Sequence, residues 1–572
     1  MKRLRHRPGS VFFVAFSFFV LSCNQTFYRA DQIDKSVVAQ HGMVVSAHAL
    51  ASEVGVSIMK QGGNAVDAAV ASQFALAVVY PRAGNIGGGG FMVIRTAEGN
   101  YSCLDYREKA PDLANKDMYL HPDGSVIDSA SIFGALAVGV PGTVDGLISA
   151  WEKFGQIRDF EKIIEPSIKL ARKGFAISQE EADRLNQYKN DFQKFNPFPN
   201  PFVRNKPWEK GDILKQEALA KTLERIKSHG RDGFYKGETA KHLVTTVQKS
   251  GGIISEKDLE AYQVVWRPPV ETNYRSYRVV SMPPPSSGGI ALAQLLELIE
   301  PFNPSALGFH STESIHLMVE AERRVYADRA KFLGDPDFFD VPTSTLLDSS
   351  YLSGKMKDFD PGKATKSSSI HTYDLPDREH FETTHTSVVD KNRMAVSVTT
   401  TLNSNYGSKV LVEGGGFFLN NEMDDFSIKP GFPNQFGLIG NEANAIVPAK
   451  RMLSSMTPTI VEKDRKLFLV LGSPGGSTII TTVFQVIVNV IDFEMTLDDA
   501  VDQFRFHHQY LPDKIFIEKE GLEQVVKDSL QSMGHDFGTY ERIGLVKAIR
   551  VLSDGSLHGV GDRRSDVDVE AY

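Results

Sequence analysis

The sequence predicts an α+β protein in which two β-sheets are packed between two layers of helices. Two observations predict this class. Alternating, β-branched segments typical of strands concentrate in the second half of the chain, at 388–389, 394–401 and 467–471. Helical patterns lie before them, between 51 and 336, and after them, at 478–490. Because sheets and helices bury their apolar faces by stacking in layers, we expect a four-layer αββα sandwich.

The first half of the chain supplies most of the helices. A short strand at 43–47 precedes a helix at 51–59, and Asn64 is a suitable N-cap for the alanine-rich helix that follows. The glycine-rich turn of 84–95 leads into a strand. No Gly-Lys-Ser/Thr follows it, so we interpret the turn as close backbone packing beside the active site and not as a phosphate loop. Further helices are predicted at 139–155, within 160–265, at 283–300 and at 311–336, where His316 and the charged residues are expected to be structural or solvated.

Composition limits the class of partner. The chain has 572 residues and a formal charge of −8 without long runs of like charge, which argues against nucleic acid. It contains only two cysteines, Cys23 and Cys103, in no metal-type spacing. We therefore expect no disulfide in the mature protein, and Cys103 is interpreted as a small buried residue.

The N-terminus is typical of a secreted protein. A basic segment that includes Lys2, Arg3 and Arg5 precedes an apolar run at 11–21, which is too short to span a bilayer as a mature helix. The sequence VLSC at 20–23 resembles a bacterial lipobox. We therefore predict a lipoprotein-type signal peptide at 1–22, an acylated Cys23 that anchors the protein to a membrane, and a tether at 23–40. The alternative is cleavage nearby without a lipid, and both place the protein in the periplasm or cell envelope.

The junction between Glu382 and Thr383 stands out in the chain. A Ser/Lys-rich run at 361–377 ends just before it, and a strand-like segment begins just after it. If the chain is cut at this junction, Thr383 carries a hydroxyl and a free α-amine. An N-terminal amine has a pKa of about 7.7–8.0 and can act as the base for the adjacent hydroxyl. Thr383 would then be both nucleophile and base; the alternative is an uncut chain in which it is a linker residue.

Four motifs resemble those of the γ-glutamyltranspeptidase family: TTHTSVVDKNRMAVSVTTTLN from residue 383, NNEMDDFS at 420–427, KRMLSSMTPTIV at 450–461 and GSPGGS at 472–477. The family belongs to the N-terminal-nucleophile hydrolases, so the resemblance implies the αββα fold and self-cleavage between Glu382 and Thr383. It also implies a heterodimer of a large subunit, 41–382, and a small catalytic subunit, 383–572. The implied activity is γ-glutamyl transfer from glutathione and other γ-glutamyl compounds to water or to amino-acid or dipeptide acceptors, with no cofactor or metal.

The resemblance also implies the reacting groups. Thr383 is the nucleophile, and Thr401 supports it by hydrogen bonding. The backbone N–H groups of Gly475 and Gly476 would stabilise the oxyanion of the tetrahedral intermediate, since glycines in a loop before a helix leave those donors accessible.

The free amino-acid end of the donor carries an α-carboxylate and an α-ammonium, and each of them needs its own binding residues. By the resemblance, Arg107, Ser454 and Ser455 bind the α-carboxylate, for which a forked cation is well suited. Asn403, Glu422 and Asp425 bind the α-ammonium, so that opposite charges stand on opposite sides of the pocket. The loop at 425–451 resembles the lid of bacterial members, with Phe436 where some relatives have Tyr. Structural roles are expected for the histidines beside these motifs, His385, His507 and His508.

Two alternatives remain open. One keeps the N-terminal threonine but changes the donor, as in cephalosporin acylases or poly-γ-glutamate depolymerases. The other is an inactive, envelope-anchored binding protein that retains the fold. The first is distinguished by donor choice and the second by whether the chain is cut.

Overall fold

A computed structural model of the chain describes residues 35–369, 383–519, 521–564 and 568–572. The predicted signal peptide, Cys23, the first part of the tether and Glu382 lie outside the described residues. In the ranges that are described, no helix is both long enough and apolar enough to cross a membrane.

Two antiparallel sheets of seven strands form the centre of the fold. The first has the strand order β1 (Ser36–Ala39), β18 (Leu557–Gly561), β17 (Lys547–Val551), β13 (Lys466–Gly472), β12 (Thr459–Lys463), β9 (Tyr277–Ser281), β8 (Val270–Tyr274). The second has the order β19 (Asp568–Ala571), β2 (Met43–Ser46), β10 (Thr384–Val389), β11 (Ala395–Thr401), β3 (Gly89–Arg95), β4 (Tyr101–Asp105), β7 (Val265–Arg267). Smaller sheets pair β5 (Phe175–Ala176) with β6 (Ile213–Leu214), and β15 (Ile515–Glu518) with β14 (Phe506–His507) and β16 (Phe537–Tyr540).

Helices cover the outer face of each sheet. The layer on the second sheet is built on α1 (Ala49–Lys60), α2 (Ala65–Val79) and α3 (Thr143–Phe154). It continues in α4 (Phe160–Lys173), α5 (Gln179–Gln187), α6 (Lys189–Phe195), α7 (Glu217–His229), α8 (Asp232–Tyr235), α9 (Gly237–Lys249) and α10 (Glu256–Ala261). The first sheet contacts α11 (Gly288–Ile299), α16 (Ile479–Ile491) and α17 (Leu497–Asp502). The remaining helices are α12 (Pro304–Leu307), α13 (Thr312–Phe332), α14 (Thr343–Leu346), α15 (Ser349–Lys355) and α18 (Gln524–Ser532).

Apolar side chains from the inner faces of both sheets form one shared core. Met43, Val45 and Phe91 of the second sheet pack with Val470 and Ile549 of the first, all of them buried. The order is therefore helix, sheet, sheet, helix, which confirms the predicted αββα sandwich. Both sheets also combine strands from either side of Thr383, so the two predicted subunits form one joint fold and not two separate domains.

Several local predictions are confirmed. Asn64 caps α2 through a capping box with Asp67, and the helix is buried along its whole length. Cys103 is a free, buried residue of β4. The strands after β13, from β14 to β19, had no clear sequence signal, and none of them was predicted.

Most charged residues of α13 are buried and structural, and only Glu313 and Lys331, near its ends, are exposed. The structural alternative holds because acids and bases on this helix pair with each other: Glu320 contacts Arg323 at 3.3 Å and Arg324 at 2.5 Å. Glu320, Glu322, Arg323, Arg324, Asp328 and Arg329 are all buried. This helix therefore carries charge into the interior, where it is available to a binding site.

Candidate active site

Thr383 and Thr401 meet because β10 and β11 pair in an antiparallel hairpin. Thr384 faces Thr400 in this pairing, so the residues beyond that pair come close to each other. The Oγ1 atoms of Thr383 and Thr401 are 3.5 Å apart, and Thr383 is only 7% exposed. Thr401 Oγ1 also accepts a hydrogen bond of 2.7 Å from the backbone N–H of Asn403. This is the contact that the predicted support of the nucleophile requires.

Asn85 and the glycine-rich turn hold the end of β11. Asn85 Nδ2 donates to the carbonyl of Thr401 at 2.8 Å, and its Oδ1 accepts from the backbone N–H of Gly88 and from Thr143 Oγ1. A Cβ added at Gly88 would lie 2.1 Å from the Thr401 carbonyl oxygen, so only glycine permits this approach. The predicted close backbone packing beside the active site is confirmed.

The GSPGGS segment forms a loop between β13 and α16. Gly475 and Gly476 have φ values of +142° and +53°, a region that favours glycine. A short 3₁₀ turn, Gly476–Thr478, then leads into α16. Within the described ranges the backbone N–H groups of both glycines donate no hydrogen bond, and Gly476 lines the same pocket as Thr383. The loop therefore offers two backbone donors that are unpaired among the described residues, one of them at the pocket, and their role in stabilising the oxyanion stays a prediction.

Arg107 forms ion pairs with two of the residues that are predicted to bind the α-ammonium of the donor. Its Nη1 lies 2.6 Å from Glu422 Oε2, and its Nη2 lies 2.5 Å from Asp425 Oδ2. The prediction that the opposite charges stand on opposite sides of the pocket is therefore wrong for this state. The physical reason is burial: an ionised group removed from water needs a counter-charge, and Arg107 and Glu422 are at most 1% exposed.

A third carboxylate, Glu108, joins this cluster and had not been predicted. Its Oε2 is 3.5 Å from Arg107 Nη1, and its Oε1 has no hydrogen-bond partner among the described residues. Burial raises the pKa of Glu108 to about 8, and burial likewise raises the pKa values of Glu422 and Asp425. Burial opposes the charge of Arg107 too, but the three carboxylates raise its pKa overall. The cluster holds more acids than bases, which suits a cationic ligand group.

The two serines and Asn403 keep polar atoms available to the pocket. Ser454 Oγ accepts from the backbone N–H of Met456 at 3.2 Å, and Ser455 Oγ accepts from Arg329 Nη2 at 3.1 Å. Asn403 Nδ2 donates to the Asn421 carbonyl, which leaves Asn403 Oδ1 without a donor in the described part of the chain. An unoccupied amide oxygen is the acceptor that an ammonium group needs.

One pocket brings together all of the predicted reacting and donor-binding residues except Gly475, which does not line it. It is lined by Arg107, Thr383, Thr401, Asn403, Glu422, Asp425, Phe436, Ser454, Ser455 and Gly476, and by Arg329, Leu438, Met456 and Ile479, which had not been predicted. Arg329 belongs to no motif that the sequence singled out, and its partners lie 42 and 126 residues away in the chain.

The loop at 425–451 covers the pocket in part. Phe436 is 7% exposed, and a Cβ added at Gly476 would lie 2.7 Å from its ring. Asn434 Nδ2 donates to Asp425 Oδ1 at 3.0 Å, which ties the loop to the charged cluster. The loop is therefore packed on the site and is not only a surface connection, as the lid interpretation requires.

The three histidines near the motifs are buried and hydrogen-bonded. His385 contacts Thr399 Oγ1 at 2.8 Å, and burial lowers its pKa well below the usual value. Burial lowers the pKa of His507 to about 3 and that of His508 to about 4. None of them lines the pocket around Thr383, which fits the expected structural roles.

One group of potential metal ligands occurs in the described ranges: His316, Glu320 and His535. His316 Nδ1 and His535 Nε2 are hydrogen-bonded to each other at 2.8 Å. Glu320 is ion-paired with two arginines, whose charges would repel a cation. This group does not have the character of an open metal site.

Comparison with known proteins identifies relatives over almost the whole length. The family model described as Gamma-glutamyltranspeptidase matches residues 51–572. The glutathione hydrolase proenzyme of Escherichia coli strain K12 is 46% identical over 542 residues, which cover 94% of this chain and 92% of the relative. A glutathione hydrolase proenzyme of Pseudomonas sp. strain A14 is 48% identical over 517 residues, 90% of each chain.

Solved structures agree with this assignment. The γ-glutamyltranspeptidase of Helicobacter pylori matches with a TM-score of 0.55 and 44% identity, covering 59% of this chain and 96% of that one. A cephalosporin acylase from Bacillus halodurans matches with a TM-score of 0.80 over 97% of this chain and 99% of that one. Its 23% identity indicates a common fold and nothing about the donor.

Proposed function

The chain belongs to the γ-glutamyltranspeptidase family, and on that premise we propose that it is a self-processing γ-glutamyltransferase and glutathione hydrolase. The observation that carries the proposal is a single pocket in which the Thr383 and Thr401 hydroxyls, 3.5 Å apart, face the Arg107–Glu422–Asp425 cluster. Such a pocket combines a nucleophile with charged side chains that can bind the amino-acid end of a donor.

The first step is self-cleavage, which leaves the subunits 41–382 and 383–572. Thr383 Oγ1 attacks the carbonyl carbon of Glu382, which lies outside the described residues. A C–O bond forms as the C–N bond breaks, and the departing nitrogen takes up a proton to become the α-amine of Thr383. Water then hydrolyses the ester to give the Glu382 carboxyl group and the free hydroxyl.

The second step is acyl transfer. The α-amine of Thr383 accepts the hydroxyl proton as Oγ1 attacks the γ-carbonyl of the donor. The oxyanion is stabilised by the N–H groups of Gly475 and Gly476, and Thr401 Oγ1 orients the nucleophile. The amine returns the proton to the leaving nitrogen, and an ester of Thr383 remains. Water, or the amine of an amino-acid or dipeptide acceptor, attacks this ester and releases the γ-glutamyl group.

Donor recognition follows from the charges. The donor's α-ammonium adds a second cation beside Glu422 and Asp425 and so favours the ionised forms that burial opposes, with Asn403 Oδ1 as a further acceptor. The α-carboxylate meets Ser454, Ser455 and the nearby guanidinium groups. A donor that carries both charges is therefore preferred.

A donor of another kind is the main competing proposal. Curated relatives include an acylase, the Acylase ACY 1 proenzyme of Pseudomonas sp. strain V22, at 33% identity. A glutaryl amide has the carboxylate but lacks the ammonium. We expect γ-glutamyl-anilide to be turned over much faster than glutaryl-anilide, and the opposite preference would favour an acylase.

The decisive experiment is a denaturing gel of the wild type and Thr383→Ala. We expect the wild type to give two bands, corresponding to roughly 23–382 and 383–572, and to hydrolyse γ-glutamyl-anilide. Thr383→Ala should remain one uncut, inactive band. Thr384→Ala is the matched control, because Thr384 is the same residue type, is buried, and has no hydrogen-bond partner on its Oγ1 in the described ranges. A cut or active Thr383→Ala would overturn the mechanism, and an uncut wild type would support the inactive binding protein.

We also propose that the protein is lipid-anchored in the cell envelope through Cys23. The support is the lipobox-like VLSC after a basic and apolar leader. Cells grown with labelled palmitate should label the wild type but not Cys23→Ser. A labelled Cys23→Ser, or an unlabelled wild type, would contradict the anchor.

A further inference from the structure

Arg329, in the last turn of α13, is a buried cation of the donor pocket without a contacting carboxylate in the described part of the chain. It is 5% exposed, its Nε donates to Ser287 Oγ at 3.1 Å, and its Nη2 donates to Ser455 Oγ at 3.1 Å. Its Nη1 has no acceptor among the described residues. Buried ions are normally balanced by an opposite charge, so this guanidinium is poised to receive one from a ligand.

Arg107 is held in a different way. Its Nη1 and Nη2 contact Glu422 and Asp425, and its Nε donates to the Met452 carbonyl at 3.4 Å. The positive charge of Arg107 is therefore already matched before any donor arrives. A donor carboxylate that approached Arg107 alone would also approach two carboxylates of its own sign.

The contact with Arg329 determines how the Ser455 hydroxyl points. A guanidinium can only donate, so Ser455 Oγ must accept from it, and the serine's own O–H remains available as a donor. No acceptor for that O–H lies within reach among the described residues, whereas the pocket lies beside it. Ser287 provides the contrast, because it accepts from Arg329 and donates to the Ser454 carbonyl at 2.7 Å.

We propose that Arg329 is a positioning and specificity residue for the α-carboxylate of the γ-glutamyl donor. It turns the Ser455 hydroxyl toward the pocket. It also adds a positive charge that, unlike the charge of Arg107, is not in contact with Glu422 or Asp425. Both arginines thus face the carboxylate. The charge of Arg107 is shared with the acids that meet the ammonium, whereas Arg329 has no carboxylate in contact among the described residues, although Asp425 is near enough to interact with it electrostatically. The inference rests on the proposed γ-glutamyl transfer and extends it to a residue outside the motifs.

The test uses three fluorogenic amides that differ only at the charged end. The γ-glutamyl amide has both groups, the glutaryl amide has the carboxylate alone, and the 4-aminobutyryl amide has the ammonium alone. They are compared on the wild type, Arg329→Gln and Arg329→Lys, at enzyme concentrations that make each wild-type rate quantifiable.

We expect Arg329→Gln to lower kcat/KM for the two carboxylate-bearing amides by about 10- to 100-fold, mainly through KM, as for loss of a charge-assisted hydrogen bond. The 4-aminobutyryl amide should change by less than about threefold, and Arg329→Lys should recover part of the loss. An equal loss for all three amides, or no loss for any, would overturn the inference. If Arg329→Gln remains uncut, Arg329→Lys must shift the ratio between the donors in the same direction, and an unchanged ratio overturns the inference.

Two further variants separate positioning from general stability. In a Ser455→Ala background, Arg329→Gln should lower kcat/KM for the carboxylate-bearing amides by clearly less than it does in the wild type, since part of its effect passes through that hydroxyl. Arg324→Gln is the matched control: Arg324 is also buried on α13, but it contacts Glu320 and Asp358 and does not line the pocket. Arg324→Gln should leave the ratios of kcat/KM among the three amides unchanged. Failure of the wild type to use the γ-glutamyl amide would instead count against the proposed function itself.

Discussion

The pocket has two halves that are built in different ways. The reactive half, Thr383, Thr401 and Gly476 with the adjacent Gly475, contains no ionised side chain and is placed by strand register and by one glycine loop. The charged half, Arg107, Arg329, Glu422 and Asp425, is held by ion pairs and hydrogen bonds between distant parts of the chain.

This difference has consequences for mutation. A change in the reactive half leaves the buried charges balanced, so it should alter the rate and little else. A change to Arg107, Glu422 or Asp425 leaves a buried charge without its partner, so it should alter stability and binding together. Three predictions test this division, beginning with the largest effect.

Removal of the Arg107 charge should cause the largest loss. Arg107→Met leaves Glu422 and Asp425 buried without a counter-charge, which is expected to lower the free energy of unfolding by about 3–5 kcal/mol. Donor KM should rise at the same time. Urea denaturation and steady-state kinetics on the processed protein measure both quantities.

Arg107→Lys is the matched control for that variant. It keeps the charge, but a single ammonium lacks the fork that contacts both carboxylates, so an intermediate loss is expected. If Arg107→Met is as stable as the wild type, the charged half does not depend on this ion pair and the distinction between the halves fails.

Thr401→Val should lower kcat but leave the free energy of unfolding nearly unchanged. Loss of the hydroxyl that faces Thr383 is expected to lower kcat by about 100-fold, comparable with the loss of one preorganised donor in other enzymes. KM should stay within about twofold and the free energy of unfolding within about 1 kcal/mol. Thr401→Ser retains the hydroxyl and should keep most of the rate. A variant with normal kcat and raised KM would instead place Thr401 in donor binding.

Glu108→Gln should produce the smallest change, and one that depends on pH. Burial raises the pKa of Glu108 to about 8 from a usual value near 4.5, so its neutral form is favoured in the folded state. Between these values the unfolded protein has lost the proton that the folded protein keeps, so stability falls as pH rises from about 4.5 to 8. The stability of Glu108→Gln relative to the wild type should therefore increase from pH 5 to pH 8. A difference that is constant with pH would contradict the raised pKa.

The reactive half could be anticipated from the sequence because its determinants are local. Residues 383–401 form a single hairpin, so the segments that predict the strands also bring Thr383 close to Thr401. The glycines of 87–90 and 475–476 could be recognised from composition, since a backbone that approaches another backbone, or adopts positive φ, requires glycine.

The charged half could be anticipated only in part. Resemblance supplied Arg107, Glu422 and Asp425, but not the direct pairing of the arginine with both acids. Glu108 and Arg329 were missed because neither the spacing nor the periodicity of the chain shows which charged residue is buried. Their roles depend on partners such as Ser455, which lies 126 residues from Arg329.

By itself the sequence determined the layer order, the helix cap at Asn64 and the family to which the motifs belong, and it predicted the junction at which the chain is cut. Only the tertiary structure decided which strands on either side of Thr383 share a sheet, which arginine is neutralised before the donor arrives and which is not. The physical reason is the distance along the chain over which each kind of interaction acts. Backbone preferences and hydrophobic periodicity act over a few residues, whereas burial and ion pairing depend on neighbours that only folding brings together.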